Sequence, residues 1–167
     1  LDVLQAAGLA VLWIDNQAGC KGVCTRVPNV QANDAKQQAA YPALCSDDEC
    51  LDEVMLKGLD QRIAALPPER TARGVVLVMH QLGSHGPAYY KRSSEALKRF
   101  QPECRTNTLS ECSHAELMNA FDNTIAYTDR FLAGTIDWLK SQSDRYQTGL
   151  VYMSDHGESL GEYGLFL

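Results

Sequence analysis

The sequence predicts an α/β fold with a mainly parallel sheet flanked by helices. Three short, almost wholly apolar runs, at 9–14, 74–79 and 149–153, read as strands buried on both faces. Stretches of helical periodicity alternate with them, as in strand–helix–strand units. The 167 residues, 45% hydrophobic and 22% charged, suit one globular domain or part of a larger one. Fifteen basic residues against 21 acidic ones leave a net charge of -6, which argues against a nucleic-acid partner. No apolar run approaches the ~18 residues of a membrane span, and no signal-peptide pattern opens the chain.

Residues 1–8 read as the end of a helix, with Leu1 and Leu4 on one face and Gly8 just past the last turn. The first buried strand follows. The stretch 15–43 is polar, carries Pro28 and Pro42, and is expected to be irregular. Ser46-x-x-Glu49 has capping-box spacing and predicts a helix carrying Leu51, Val54, Leu59 and Ile63, ended by Pro67-Pro68. The second strand comes next. A second capping box, Ser113-x-x-Glu116, precedes Leu117, Phe121, Ile125, Thr128, Leu132, Ile136 and Leu139. Their steps of four or three residues predict a long amphipathic helix with that stripe inward. His114, in its first turn, is expected at the surface. After the third strand, 161–167 reads as a loop entering a further element, so both ends are expected to be cut from a larger domain.

Open α/β sheets bind ligands beyond the carboxyl ends of their strands. Asp15, Asn16, Gln17, Gly19 and Lys21 follow the first strand, His80, Gln81, Gly83, His85 and Gly86 the second, and Asp155, His156, Gly157 and Glu158 the third. Three of the four histidines lie in these segments. Asp155 and His156 offer an oxygen and a nitrogen suited to zinc, and both can reach one ion if the strand ends there. His85, between glycines, is a candidate ligand or substrate contact, whereas His80, directly ending a strand, reads equally as a packed core residue. Lys21 lies between two cysteines that could pin its loop, where it would present a point charge to a phosphate. Tyr89-Tyr90-Lys91-Arg92 reads either as the lining of a groove for an anionic head group or as a plain surface turn.

Six cysteines fall into three close pairs, Cys20–Cys24, Cys45–Cys50 and Cys104–Cys112. The clustering favours disulfides between neighbours, each worth about 2–2.5 kcal/mol on the chain-entropy account, and an oxidising compartment. Reduced thiols and metal ligation are the alternatives, although no pair has C-x-x-C spacing.

Ser154-Asp155-His156-Gly157-Glu158-Ser159-Leu160-Gly161-Glu162 resembles the alkaline phosphatase superfamily. Trp13-Ile14-Asp15-Asn16-Gln17, Gly19-Cys20-Lys21-Gly22-Val23-Cys24, His80-Gln81-Leu82-Gly83-Ser84-His85-Gly86-Pro87-Ala88-Tyr89-Tyr90 and the Cys104–Cys112 pair narrow the resemblance. They are similar to the lipid A phosphoethanolamine transferases, the group that includes the mobile colistin-resistance enzymes. The match covers nearly the whole chain and is weakest over 31–73. Ile14 departs from it, standing where the family often has a charged residue.

The resemblance implies an alkaline-phosphatase/sulfatase-like fold, present as a partial domain: residues 1–167 form part of one periplasmic catalytic domain, tethered to the bacterial inner membrane by an N-terminal domain outside this sequence. It implies one or two zinc ions held by Asp155, His156 and His85. It assigns catalytic roles to His85, Lys21 and Glu158, and substrate contacts to Lys21, Gln17, His80 and Tyr89. The implied reaction moves phosphoethanolamine from phosphatidylethanolamine to lipid A through a phospho-threonine intermediate, giving polymyxin resistance. Zinc lowers the pKa of a coordinated hydroxyl, so threonine can attack at neutral pH, and His85 is a candidate to protonate the leaving alkoxide. The family's threonine nucleophile and one zinc-binding glutamate fall upstream of Leu1, and another histidine falls beyond Leu167. The 167 residues alone are therefore expected not to turn over. Competing readings are a phosphoglycerol transferase or sulfatase of the same superfamily, a non-catalytic disulfide-stapled domain with a closed four-ligand zinc, and a thiol redox module built on Cys20 and Cys24.

Overall fold

The computed structural model describes residues 1–47 and 49–166. The chain divides into two compact units, Leu1–Leu82 and Gly83–Leu167.

The first unit runs α1 (Asp2–Ala6), β1 (Ala10–Asp15), β2 (Asn29–Gln31), α2 (Ala35–Ala40), β3 (Cys45–Ser46), β4 (Glu49–Cys50), a 3-10 turn (Asp52–Leu56), α3 (Leu59–Ala64), α4 (Pro68–Thr71) and β5 (Val75–His80). Gly8 takes φ +89 just past α1, as its position predicts, and a Cβ there would meet the Arg73 guanidinium at 2.8 Å. β1 is buried along its whole length, between β2 and β5, and the three strands are parallel in the order β2-β1-β5. The register sets Asp15 beside Gln31 on one side and His80 on the other. Val11, Trp13, Cys24 and Val27 form the core against one face, with Val76 and Val78 packed on them.

Three local expectations are corrected here. The stretch 15–43 is not wholly irregular: it holds β2 and α2. A three-residue edge strand is too short to show alternation, and α2, reading Ala-Lys-Gln-Gln-Ala-Ala, has no apolar stripe. Its legible signal is Asp34, whose carboxylate accepts from the Gln37 N–H at 2.8 Å. Ser46 and Glu49 do not cap a helix. They pair across an antiparallel hairpin, β3 to β4, as Cys45 and Cys50 do. Finally, the single helix expected through Leu51, Val54, Leu59 and Ile63 is a 3-10 turn followed by α3, separated at Gly58, which adopts φ +68.

The second unit contains short 3-10 turns at Tyr89–Lys91, Glu95–Leu97, Leu109–Glu111 and Glu162–Gly164, and one long helix, α5 (His114–Ser141). The predicted capping box starts α5: the Ser113 hydroxyl accepts from the Glu116 N–H, and the Glu116 carboxylate accepts from the Ser113 N–H. His114 is exposed, as expected. Tyr89, Cys104, Leu109, Leu117, Ala120 and Leu160 make the core cluster, with Phe121 and Phe166 against it. The buried face of α5 differs from the predicted stripe. Leu117 and Thr128 of the stripe are buried, but Ile125 and Ile136 are exposed, and Asn123, Thr124 and Thr135, outside the stripe, are buried.

The third expected strand is also corrected. Residues 149–153 belong to no strand, and Val151 is 90% exposed. An apolar run becomes a strand only where a ladder partner takes its N–H and C=O groups. Among the described residues, this run has no such partner.

All three cysteine pairs are disulfides: Cys20–Cys24, Cys45–Cys50 and Cys104–Cys112.

Candidate active site

At the carboxyl ends of β1 and β5, Asp15 organises the first unit. Its buried carboxylate accepts from the Trp13 indole N–H at 3.0 Å and from the Gln17 backbone N–H at 2.7 Å. The His80 Nδ1 stands 3.5 Å from the same carboxylate, and the His80 ring lies 5.2 Å from that of Trp13. The Gln17 amide donates to the Gln81 carbonyl at 2.6 Å, tying the two strand ends together. Gln17 and His80 thus share one sheet edge, as their positions predict. Lys21 is exposed on the following loop, which Cys20–Cys24 closes, and adopts φ +45 between Gly19 and Gly22, both also left-handed.

Asn16 and Asp52 carry part of this edge, and sequence reasoning gave them no role. Asn16 donates to the Cys50 carbonyl and to Asp52 Oδ1, both at 2.8 Å, and Asp52 Oδ1 also accepts from the Leu82 N–H at 2.9 Å. Nothing in the spacing of Asp52, 36 residues beyond Asn16, announces the pairing.

In the second unit, His85 and His156 are exposed, and their rings meet edge to face with centroids 6.0 Å apart. Each Nδ1 lies against the carbonyl of the following residue, His85 on Gly86 at 2.7 Å and His156 on Gly157 at 2.8 Å. A carbonyl only accepts, so in both rings Nδ1 carries the proton and Nε2 is the basic nitrogen. Metal-binding histidines are oriented in this way by a carbonyl or carboxylate on the other nitrogen. The Asp155 carboxylate is 3.9 Å from His156 Nε2. The His85 loop is itself held from behind. Buried Arg92 donates to the His85 carbonyl at 3.0 Å, and the Thr124 hydroxyl of α5, which donates to the Phe121 carbonyl at 2.6 Å, is hydrogen-bonded to the Ser84 hydroxyl at 2.7 Å. Neither anchor was identified from the sequence.

Tyr89 and Glu158 form the other feature of this unit. The Tyr89 hydroxyl donates to Glu158 Oε2 at 2.8 Å. Burial, reinforced by that carboxylate, pushes the phenol well above its ordinary range, so it remains a neutral donor. The Tyr89 ring is inside the core and turns its hydroxyl, not its face, toward the motif.

Two imidazole Nε2 atoms and an aspartate are donors of the kind zinc takes. Among the described residues, no group of three or more His, Cys, Asp or Glu is placed to hold a metal ion. The donor types of Asp155, His156 and His85 suit zinc, but the three are not gathered around one point.

The first unit thus has a three-stranded parallel sheet with candidate residues at its carboxyl edge, and the second carries an Asp-His-Gly-Glu segment. The chain belongs to the sulfatase family, whose sequence pattern matches residues 1–167, and it has the sulfatase/alkaline-phosphatase-like fold. Within that family it is similar to phosphoethanolamine transferase EptA of Salmonella typhimurium, at 46% identity over all 167 residues. It is also similar to phosphatidylethanolamine transferase Mcr-1 of Escherichia coli, at 42% over 170 aligned positions and 100% of this chain. The chain spans 29% and 30% of those two relatives. The soluble domain of lipooligosaccharide phosphoethanolamine transferase A from Neisseria meningitidis superposes with a TM-score of 0.84 at 39% identity. That match covers 99% of this chain and 47% of the Neisseria chain.

Proposed function

We propose that this chain is part of the periplasmic catalytic domain of an enzyme that transfers phosphoethanolamine from phosphatidylethanolamine to lipid A at the bacterial inner membrane, conferring polymyxin and colistin resistance. One observation carries the reading: His85 and His156 present the same nitrogen, Nε2, in the same carbonyl-fixed tautomer, beside Asp155 and in the motifs that carry the resemblance. The names of the Salmonella, Escherichia and Neisseria relatives support the transferred group. The disulfides support an oxidising compartment. Among the described residues no helix is long and apolar enough to cross a membrane.

In this reading Asp155, His156 and His85 hold zinc. Bound there, zinc would supply Lewis-acid stabilisation of charge on the phosphoryl oxygens and lower the pKa of the attacking threonine hydroxyl. The chain's own side chains bind and orient. The Glu158 carboxylate accepts from the ethanolamine ammonium, and Lys21 offers a point charge to the phosphate. Gln17 and His80 are assigned to the substrate by the resemblance. His85 acts through Nε2, because its Nδ1 proton is engaged by the Gly86 carbonyl. It contacts metal or phosphate while neutral and can protonate a leaving alkoxide only as the imidazolium.

The test is a lipid A mass spectrum from cells expressing the complete parent reading frame beside a His156→Ala control. One added phosphoethanolamine unit, absent from the control, is the expected result. Unchanged lipid A from a well-expressed, folded protein overturns the assignment of acceptor and head group.

A further inference from the structure

We infer that Tyr89 is a positioning residue for Glu158: its buried hydroxyl fixes the carboxylate that receives a primary ammonium group of the substrate. The inference rests on the reading of Glu158 as the head-group contact and adds what holds that contact in place.

Three observations carry it. The Tyr89 ring is 1% exposed and packs edge to face on Phe121 of α5, with centroids 5.6 Å apart, so its hydroxyl is a fixed point. By contrast, the segment from 149 to Ser159 has no regular structure, and Asp155, His156 and Gly157 are exposed. A glutamate on such a segment has three rotatable bonds and no backbone ladder to restrain it. The bond from Tyr89 to Oε2, 69 residues away in sequence, ties that side chain to the helical core. The hydroxyl takes one oxygen and leaves the other to accept from an ammonium.

The third observation is Gly86. A Cβ at this position would stand 2.7 Å from the Tyr89 hydroxyl oxygen and 2.9 Å from its Cζ. The glycine beside His85 therefore leaves the space the phenol occupies. Two motifs are joined through this contact, the His-Gly-Pro turn that carries His85 and the Asp-His-Gly-Glu segment that carries Glu158.

The experiment uses the complete membrane enzyme with phosphatidylethanolamine as donor, and follows both turnover and calorimetric binding of glycerophosphoethanolamine. Tyr89→Phe keeps the ring and its packing and removes one bond to a charged acceptor. It is expected to raise KM for the donor about tenfold, with kcat within about twofold, and to weaken glycerophosphoethanolamine binding by a similar factor. In a Glu158→Ala background the same change is expected to do nothing further, because the group it acts through is gone. A purely structural tyrosine would lower activity by the same factor in both backgrounds, and that result overturns the inference. So does an unaltered KM in Tyr89→Phe. If the wild-type enzyme transfers nothing yet binds the head group with this Tyr89–Glu158 coupling, the transferase reading falls and the positioning role stands. If it neither transfers nor binds, both fall.

Discussion

Lys98→Met should be among the most damaging single changes in the second unit. The Lys98 side chain is 2% exposed and its Nζ donates to Glu103 at 2.6 Å, to the Tyr90 carbonyl at 2.7 Å and to Glu95 at 2.7 Å. Glu103 is wholly buried and also receives the Asn123 amide at 3.0 Å and Arg105 at 3.1 Å. Removing one partner of a buried ion pair costs about 3–5 kcal/mol, mostly because the other charge is left uncompensated. Arg105 and Asn123 remain, so the low end, about 3 kcal/mol, applies. The orphaned Tyr90 carbonyl adds about 1 kcal/mol, while the exposed Glu95 contact adds almost nothing. The sum is about 4 kcal/mol. The chain has two tryptophans, Trp13 in the first unit and Trp138 on α5, so in a Trp13→Phe background fluorescence reports the second unit alone. With an m-value of about 2 kcal/mol/M, the urea midpoint should fall by about 2 M. Lys98→Met with Glu103→Met should recover at least half of that, since the uncompensated charge is gone. A single variant within about 1 kcal/mol of wild type refutes the reasoning, as does a double variant no better than the single.

Three further outcomes follow from the same geometry. Asp52→Leu strips an acceptor from the Asn16 amide and the Leu82 N–H and should cost about 2–3 kcal/mol, read by Trp13 fluorescence during urea unfolding. Asp52→Asn, which keeps an acceptor, should recover most of it. The Ser113 hydroxyl, and then its backbone N–H, hold the Glu116 carboxyl below its ordinary range. A depressed folded-state pKa contributes stability above the unfolded value, near about 4.3, that is lost as pH falls through the folded value. Ser113→Ala should lower the melting temperature at pH 7 and flatten its fall below about pH 4.3; an unchanged acid limb counts against the cap. Equilibrium dialysis of the complete enzyme against zinc should show His85→Ala and His156→Ala each weakening retention at least about tenfold, while His114→Ala, exposed in the first turn of α5, leaves it unchanged.

What the sequence discloses is governed by how local the physics is. β1 and β5 are legible because a strand buried on both faces must be apolar throughout, and Ser113-x-x-Glu116 is legible because both of its hydrogen bonds span three residues. Ser46-x-x-Glu49 has the same spacing and misleads, since three residues also separate the two ends of a tight hairpin. The deciding fact is that the flanking Cys45 and Cys50 are themselves paired. The 149–153 run misleads for a different reason: its apolar composition states a preference for burial, and a strand needs a ladder that composition cannot supply.

The inward face of α5 shows most clearly why pattern alone falls short. At about 100° per residue, each four-residue step drifts by about 40°. Each three-residue step turns back by about 60°, so the stripe is a band with buried Leu117 and Thr128 near one edge; Ile125 and Ile136, about 80° and 100° round from Leu117, lie at the other edge and are exposed. The buried face is centred roughly 90° away; it shares Leu117 and Thr128 with the stripe and also takes in Asn123, Thr124 and Thr135, residues that hydropathy assigns to solvent. They are tolerated inside because their polar atoms find partners. Asn123 accepts from the Arg99 and Phe100 N–H groups and donates to the Phe100 carbonyl and Glu103. Thr135 donates to the Phe131 carbonyl, and Thr124 bonds Ser84 behind His85. The same logic separates the two halves of the candidate site. The position of His85 follows from the end of β5 and its motif, whereas those of Asp155, His156 and Glu158 follow from their motif alone, since 149–153 forms no strand. The atoms that fix them, Arg92 on the His85 carbonyl, Thr124 on Ser84 and the buried Tyr89 hydroxyl on Glu158, are set by contacts 7, 40 and 69 residues apart that only the folded chain creates.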